Sequence, residues 1–190
     1  MSILFRYKPG SAGNPLVRIA GSTQPDSPDC RQQLLYELLH DAGQDTHSAV
    51  IGHLAGGKPF LQTDSGSFPI SVSHTRGLLL IALSTGPQIG LDTEPAARKV
   101  PERLLARIRS AEDAAFENQL PPLKLWTLKE AFLKMTGTGL RHPMRAVSVS
   151  PAGDHYYLCK TVRADGTPLQ ALTVSFMWRE FRIALAVEHP

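Results

Sequence analysis

Two carboxylates at the end of one predicted strand have the clearest chemical potential in this sequence. The segment Ile89-Gly90-Leu91-Asp92-Thr93-Glu94 reads as a strand that ends on Asp92 and Glu94. Side chains at positions i and i+2 leave a strand on the same face, so both acids are expected to point one way. Two like charges held this close are unfavourable unless a cation or a proton lies between them. Because oxygen ligands select a hard ion such as Mg²⁺, a metal site is one hypothesis, and a pair of solvated acids is the other.

A third acid and a lysine lie on a helix predicted within segment 125–137. Glu130 and Lys134 stand in the order that favours a surface ion pair, which would be worth only about 0.3–0.5 kcal/mol. The functional hypothesis instead requires Glu130 to complete a three-carboxylate site with Asp92 and Glu94. Lys134, one helical turn further on, would then meet the phosphates that the metal holds.

Two further groups could bind phosphate. His74 stands at a strand-to-turn junction in Ser73-His74-Thr75, where an imidazole can donate a hydrogen bond to an oxyanion and, when protonated, adds charge. Lys58 lies in a basic turn, Gly56-Gly57-Lys58-Pro59, that lacks the spacing of a nucleotide-binding glycine-rich loop. An ordinary loop histidine and an ordinary basic turn are the alternatives. No nucleophile or acid spacing indicates a serine-hydrolase triad.

The first half of the chain is predicted to position His74 and Lys58 with one helix and a meander. Residues 31–41 read as a helix because leucines recur at i, i+1, i+4 and i+5. Ser27-Pro28-Asp29 can cap its start and Gly43 can end it. The expected strands, joined by turns at 75–77 and 86–87, are 70–73, 78–83 and 89–94. In that order they form a small antiparallel meander that follows the helix.

The second half repeats this theme. Residues 123–135 predict a helix in which Leu128, Phe132 and Met135 form a core stripe. The expected strands are 146–150, 156–162, 172–178 and 181–187.

Two short matches indicate an internal repeat. Ser71-Val72-Ser73 resembles Thr173-Val174-Ser175, and Ile81-Ala82-Leu83 resembles Ile183-Ala184-Leu185, both at a separation of 102 residues. The predicted fold class is therefore α+β, with two similar α+β halves forming a pseudo-dimer. We place the halves at residues 1–95 and 96–190 and expect the site to lie between them.

The amino-acid composition excludes several classes of protein. The chain has 190 residues, a formal net charge of +3, 42% apolar residues and 19% charged residues, which are typical of a globular protein. Its longest apolar run, 77–83, is too short to cross a bilayer, and residues 1–10 lack the apolar segment of a signal peptide. The only cysteines, Cys30 and Cys159, exclude a disulfide framework and a zinc ribbon. We therefore expect a soluble, cytoplasmic protein with no membrane partner.

One basic stretch, residues 98–109, holds five basic residues against one acid. No aromatic residue lies among these charges, which argues against a nucleic-acid partner. The basic stretch is interpreted either as a solvated helix face or as a docking surface for an acidic protein.

Four segments, taken in order, resemble the signature of the 4′-phosphopantetheinyl transferases. They are Gly57-Lys58-Pro59-Phe60-Leu61, Ile70-Ser71-Val72-Ser73-His74, Ile89-Gly90-Leu91-Asp92-Thr93-Glu94 and Trp126-Thr127-Leu128-Lys129-Glu130-Ala131-Phe132-Leu133-Lys134-Met135-Thr136-Gly137. A G-x-D-x-E strand followed by a W-x-x-K-E-A-x-x-K helix is a specific combination. Thr75 and Thr93 depart from the family, which more often has serine and a branched apolar residue there.

The likeness is to the monomeric surfactin-synthetase-activating type, whose chain is two similar α+β halves. The short, trimeric acyl-carrier synthase type is disfavoured because this one chain shows both halves. The resemblance implies transfer of the 4′-phosphopantetheine of coenzyme A, the substrate, to a serine of an apo acyl, peptidyl or aryl carrier protein, leaving adenosine 3′,5′-bisphosphate. Such carriers are typically acidic near that serine, which would give the basic stretch its partner. The alternative function is a catalytically idle module that binds coenzyme A or a nucleotide.

The resemblance also implies a metal site. By the family pattern Asp92, Glu94 and Glu130 hold Mg²⁺, or Mn²⁺ in its place, on the pyrophosphate. The proton of the carrier serine passes either to Glu130 or to a water on the metal, and both alternatives remain open. The role of Lys129 is open between catalysis and structure.

The implied coenzyme A contacts come from both halves of the chain. Lys134 and His74 would meet the pyrophosphate oxygens and stabilise their charge. Lys58 and Arg31 would meet the 3′-phosphate and adenosine end, and Ser73 belongs to the same binding set.

Overall fold

One sheet and one helix form the described part of the first unit, Met1–Ile89, in the computed structural model of this chain. The structure describes residues 2–7, 16–46 and 48–189. The elements of this unit are β1 (Ser2–Tyr7), β2 (Val17–Ser22), α1 (Pro28–Asp41), β3 (Val50–His53), β4 (Pro59–Thr63), β5 (Gly66–Thr75) and β6 (Leu78–Ser84). Its strands lie in the order β1-β2-β6-β5-β4-β3, and each neighbouring pair is antiparallel.

α1 begins and packs as its sequence predicts. Oγ of Ser27 accepts a hydrogen bond from the amide of Cys30 at 3.2 Å and so caps the first turn. The four stripe leucines are buried in one cluster with side chains of β2, β5 and β6: Leu34, Leu35, Leu38 and Leu39. Burial of each such side chain contributes about 1.5–3 kcal/mol, so packing against the sheet holds this helix in place.

Asp41, the last residue of α1, binds two arginines of the neighbouring strands. Nη2 of Arg6 lies 2.5 Å from its Oδ1, and Nε of Arg18 donates to its Oδ2 at 2.8 Å. The hydrogen bond from Arg6 and then that from Arg18 lower the pKa of Asp41 to about 2, against the effect of burial.

Asp41→Asn is expected to reduce the free energy of unfolding at pH 7 by about 1–2 kcal/mol, because charge-assisted hydrogen bonds are lost while Arg18 stays buried. In the wild type this contribution is present above the ordinary carboxyl pKa of 3.8 and is lost as the pH falls towards about 2. Urea unfolding of both proteins from pH 7 to pH 2 measures it. A difference between them that stays constant over this range would contradict the prediction.

The second unit, Gly90–Pro190, contains three helices and a sheet in its described part. Its elements are β7 (Ile89–Pro95), α2 (Glu102–Ile108), α3 (Ala111–Ala114), α4 (Pro122–Thr136), 3₁₀ turns at Gly139–Arg141 and Met144–Ala146, β8 (Ser148–Pro151), β9 (Tyr156–Val162), β10 (Pro168–Trp178) and β11 (Phe181–His189). The strands lie in the order β7-β11-β10-β9-β8.

α4 matches its predicted pattern. The stripe residues Leu128, Phe132 and Met135 are at most 2% exposed, and Gly137 ends the helix with φ of +72°. None of the described helices combines the length and the apolar character that crossing a membrane requires.

The two units share one topology. In the first unit β2 leads into α1 and then into four consecutive strands, and in the second β7 leads into α2, α3 and α4 and then into four consecutive strands. The sheet orders β2-β6-β5-β4-β3 and β7-β11-β10-β9-β8 correspond position by position. The repeated motifs fall on corresponding strands, but their register differs. Ser71 faces Ala82 in the first unit, whereas Thr173 faces Ala186 in the second. Corresponding residues of the two units are therefore 102 positions apart on β5 and β10 but 104 positions apart on β6 and β11. Because this difference is an even number, each side chain stays on the same face of its sheet.

Two expectations about the strands are wrong. The first meander does not continue into residues 89–94, because β7 pairs with β11 in the second sheet. The strand expected at 146–150 begins at Ser148, because Ala146 belongs to a 3₁₀ turn. A local pattern indicates an extended segment but does not identify its hydrogen-bonded neighbour.

Candidate active site

An ion pair joins β7 to α4. Nζ of Lys134 donates to Oδ1 of Asp92 at 2.8 Å. Asp92 is only 5% exposed, and its other oxygen, Oδ2, is buried. The end of β7 therefore presents a buried carboxylate to the helix that carries Glu130 and Lys134.

Gly90 allows α4 to approach β7 this closely. A Cβ built on Gly90 would lie 2.0 Å from the carbonyl oxygen of Ala131 and 2.3 Å from the amide nitrogen of Met135. Both are backbone atoms, which no rotamer change can move aside, so a side chain at this position does not fit. Two residues further on and on the same face, Asp92 comes within reach of Lys134. Sequence reasoning gave Gly90 no role, although its place in the G-x-D-x-E motif was a usable signal.

Glu94, the other acid of β7, also meets α4, as the alternation of side chains predicts. Its Oε1 accepts hydrogen bonds from Nη1 of Arg98 and, at 3.2 Å, from Nε1 of Trp126. The guanidinium of Arg98 lies 4.8 Å from the centre of the Trp126 ring, in a cation–π contact. Glu94 is thus held by a cation and an indole of the protein itself, two partners that sequence reasoning did not anticipate.

Glu130 is half-buried on α4. Burial raises the pKa of its carboxyl, and the charge of Asp92 adds to this effect, while Lys134 and Arg98 counteract it. Asp92 and Glu130 are therefore close enough to repel each other. A carboxyl group with a raised pKa is better suited to accept a proton near neutral pH than an ordinary one.

The three predicted metal-binding acids lie on β7 and α4 but are not gathered into one cluster. Within residues 2–7, 16–46 and 48–189, no three Asp, Glu, His or Cys side chains are grouped so that they could hold a metal ion. Asp92 and Glu130 are coupled by charge, whereas Glu94 is bound to Arg98 and Trp126.

In the first unit, Asp26 brings Arg31 and His74 together. Nε and Nη2 of Arg31 donate to the two oxygens of Asp26, each at 2.6 Å, and this bidentate contact lowers the pKa of Asp26. Nδ1 of His74 lies 3.6 Å from Oδ2 of Asp26, and the His74 side chain is 62% exposed. Two of the predicted phosphate-binding side chains therefore lie beside the same carboxylate, which sequence reasoning missed.

A cleft of about 550 Å³ opens beside Asp26 and Arg31. Its apolar wall comes from α1, β3 and β4 and includes Leu35, Tyr36, Val50, Ile51 and Leu61. An apolar wall with a charged group at its edge suits a flat organic ligand that carries an anion.

Lys58 and Ser73 are more enclosed than their predicted turn and strand-end positions imply. They are 8% and 3% exposed. Nζ of Lys58 donates to Oε1 of Gln88 at 2.6 Å, so an amide of this unit holds its ammonium.

Comparison with protein families shows which superfamily the chain belongs to. The model of the 4′-phosphopantetheinyl transferase superfamily matches residues 88–186, which is more than half of the chain and includes β7 and α4. The chain belongs to this superfamily. Its members transfer phosphopantetheine to carrier proteins, with coenzyme A as substrate and, in general, a divalent metal. A search of curated proteins found no match.

The three acids Asp92, Glu94 and Glu130 fit a divalent metal by their donor chemistry. Three carboxylates offer the oxygen ligands that Mg²⁺ and Mn²⁺ prefer. A cation near Asp92 and Glu130 would relieve the repulsion that contributes to the raised pKa of Glu130. Glu94 would have to exchange Arg98 for the metal.

If Glu94 is a metal ligand, Arg98→Ala should tighten Mg²⁺ binding about tenfold, equivalent to about 1.4 kcal/mol, because the metal would no longer compete with a guanidinium for this carboxylate. Trp126 reports on this exchange, since its indole donates to the same carboxylate. The measurement is a fluorescence titration in a Trp178→Phe background, which leaves Trp126 as the sole tryptophan.

Arg145→Ala, at an exposed position after α4, is the matched control and should leave the dissociation constant unchanged. Equal or weaker Mg²⁺ binding by Arg98→Ala would show that Arg98 does not compete with the metal.

Proposed function

We propose that this chain transfers the 4′-phosphopantetheine arm of coenzyme A to a serine of an apo carrier protein and releases adenosine 3′,5′-bisphosphate. The observation that carries the proposal is the Asp92–Lys134 ion pair beside the charge-coupled Glu130, within the segment that matches the superfamily. Such a set offers acids to hold a metal, an ammonium to neutralise phosphate and a carboxylate to accept a proton. These are the parts that phosphoryl transfer requires.

In this proposal Asp92, Glu94 and Glu130 hold Mg²⁺ or Mn²⁺. A divalent ion bound there stabilises the negative charge that develops on the leaving phosphate. Lys134 moves its ammonium from Asp92 to the pyrophosphate oxygens. His74 remains in the proposed pyrophosphate-binding set on the family pattern alone.

Glu130 is the proposed acceptor of the proton from the carrier serine. The serine oxygen forms a bond to the phosphorus of the pantetheine phosphate while the bond from that phosphorus to the adenosine phosphate breaks. Burial, the largest of the effects that raise the pKa of Glu130, favours proton uptake by its carboxylate, whereas the contribution of Asp92 would be relieved by a bound cation.

The cleft of the first unit is the proposed site for the adenosine end of coenzyme A. Its apolar wall suits a purine, and Arg31 can turn its paired N–H groups from Asp26 to the 3′-phosphate. Lys58 and Ser73 remain in the proposed binding set on the family pattern alone.

The basic stretch is the proposed docking surface for the carrier. Its central part is α2, on which Arg103 and Arg107 are exposed. An acidic carrier surface would be attracted to these charges, which increases the association rate at low ionic strength.

The shared topology of the two units supports the surfactin-synthetase-activating type, which acts as a monomer. A subunit of the trimeric type contributes only half a site. Gel filtration should therefore give a mass near that of one chain, 20.7 kDa. A mass near three times this value would favour the trimeric type.

The test is incubation of the protein with coenzyme A, Mg²⁺ and a panel of apo fatty-acid, polyketide and peptide-synthetase carriers. Mass spectrometry should find a phosphopantetheine added to the carrier serine. Binding of coenzyme A without a mass gain on any carrier would instead support the idle binding module.

A further inference from the structure

Lys129, the lysine that precedes Glu130 in the helix motif, is fully buried in the second unit. Its ammonium donates to the carbonyl oxygen of Ile108 at 2.7 Å, to Oδ2 of Asp113 at 2.5 Å and to the carbonyl oxygen of Met144 at 3.2 Å. These acceptors lie on three separate elements: the end of α2, α3 and the turn that begins at Met144.

Asp113, which is 1% exposed, extends this network. Its Oδ2 also accepts from the amide of Ser110 at 2.7 Å, and its Oδ1 accepts from the amide of Val149 on β8 at 2.8 Å. Its own amide donates to Oγ of Ser110 at 3.1 Å, which completes a capping box at the start of α3. The Lys129–Asp113 pair therefore ties α4 to α2, α3, the following turn and β8.

Stability alone does not explain a charged pair at this position. Burial lowers the pKa of Lys129 and Asp113 counteracts it, and apolar residues of similar volume often stabilise a core as well as such a pair does. Hydrogen bonds, unlike apolar contacts, depend on the direction from donor to acceptor. The apolar contacts of Leu128 and Phe132 tolerate small rotations of α4 about its axis, whereas hydrogen bonds to three separate elements do not.

Because Lys129, Glu130 and Lys134 lie on one helix, the orientation of Lys129 about the helix axis fixes the orientation of the other two side chains. Glu130 follows Lys129 and lies about 100° from it around the helix axis. A rotation of α4 by about 20° would move the charged ends of Glu130 and Lys134, about 6 Å from the axis, by about 2 Å. A displacement of about 1 Å near a reacting group can reduce a rate about a hundredfold.

We propose that Lys129 is a positioning residue for the transfer reaction, which holds α4 in the rotation that presents Glu130 and Lys134 to Asp92. Lys129 itself does not touch the substrate, and Asp113 is its counter-ion. The inference rests on the proposed function of Glu130. It accounts for a motif in which a fully buried lysine directly precedes a half-buried acid.

The experiment uses the double variant Lys129→Met, Asp113→Asn, which removes both charges and leaves no unpaired ion in the core. Near-UV circular dichroism and urea unfolding establish whether it is folded at the assay temperature. We expect kcat to fall at least twentyfold while the KM for coenzyme A changes less than threefold. In a Trp178→Phe background we also expect a shift in the emission of Trp126, because its hydrogen bond to Glu94 depends on the rotation of α4.

Ser110→Ala is the milder companion variant, since it removes the hydrogen bond that the backbone amide of Asp113 donates to Oγ of Ser110 and leaves the ion pair in place. We expect a threefold to tenfold lower kcat with the fold intact. Lys124→Met is the matched control: it removes another lysine of α4, whose Nζ donates to Oη of Tyr157 at 2.9 Å, and should keep the wild-type kcat.

Two results separate the positioning role from the proposed function. Wild-type kcat and wild-type Trp126 emission in the folded double variant would overturn the positioning role. If the double variant does not fold, the same result in Ser110→Ala overturns it. Failure of the wild-type protein to modify any carrier would overturn the proposed function instead. The emission of Trp126 would then still decide whether Lys129 sets the rotation of α4.

Discussion

Glu130→Gln is expected to reduce kcat for phosphopantetheine transfer about a thousandfold while the protein stays folded. The amide keeps the shape of the carboxyl group but cannot accept the serine proton or give a metal an anionic ligand. Burial and the charge of Asp92 both raise the pKa of Glu130, which means that the native structure disfavours its anionic form. A neutral residue there should therefore leave the free energy of unfolding unchanged or raise it.

The measurements for Glu130→Gln are kcat from the carrier assay and urea unfolding at pH 7. Glu180→Gln, which removes an exposed carboxylate from the β10–β11 turn, is the control and should keep wild-type values for both. A Glu130→Gln protein with more than a tenth of the wild-type kcat would show that this carboxylate neither accepts the proton nor holds the metal.

Gly90→Ala should lower the free energy of unfolding by about 3 kcal/mol, at the upper end of the usual cost of an overpacked core. The added Cβ would overlap the backbone of α4, at 2.0 Å from the carbonyl oxygen of Ala131 and 2.3 Å from the amide nitrogen of Met135. The helix can only respond by moving away from β7, and this movement separates Lys134 from Asp92. We therefore also expect kcat to fall about a hundredfold in the fraction that remains folded.

Gly86→Ala is the matched control for Gly90→Ala. Its Cβ would meet only the side chain of Leu16, at 3.8 Å, which is ordinary van der Waals contact. It should change the free energy of unfolding by less than about 0.5 kcal/mol. Urea unfolding and the carrier assay measure both variants. Equal stability of the two would mean that β7 and α4 have room between them, and the explanation of Gly90 would be wrong.

Hydrophobic periodicity correctly predicted which residues are buried where burial follows from the pattern within one element. The leucine stripe of α1 and the stripe of Leu128, Phe132 and Met135 on α4 are buried as predicted, because a helix places residues three and four apart on one face. The alternation along β7 predicts that Asp92 and Glu94 share a face, and both contact residues of α4. By contrast, β1 to β4 are absent from the expectations. They include β2, which is buried throughout and has no clear alternation.

The partners of the functional side chains were beyond the reach of such patterns. Sequence spacing pairs Lys134 with Glu130 on the helix surface, whereas the structure joins Lys134 to Asp92, which precedes it by 42 residues. Lys129 resembles any other helix lysine in the sequence, yet it is fully buried against Asp113. A periodic pattern states which face of an element is covered but not which element covers it.

The sequence by itself predicted the superfamily that the family model confirms, from the acids at the end of β7, the lysine and acid of α4, and their order along the chain. The tertiary structure alone decided three things. It placed β7 in the second sheet, it showed that Gly90 lets α4 approach, and it anchored α4 through Lys129. The physical reason is the same in each case. Strand pairing, close backbone approach and buried ion pairs join residues that lie far apart in the chain, and no local spacing encodes such contacts.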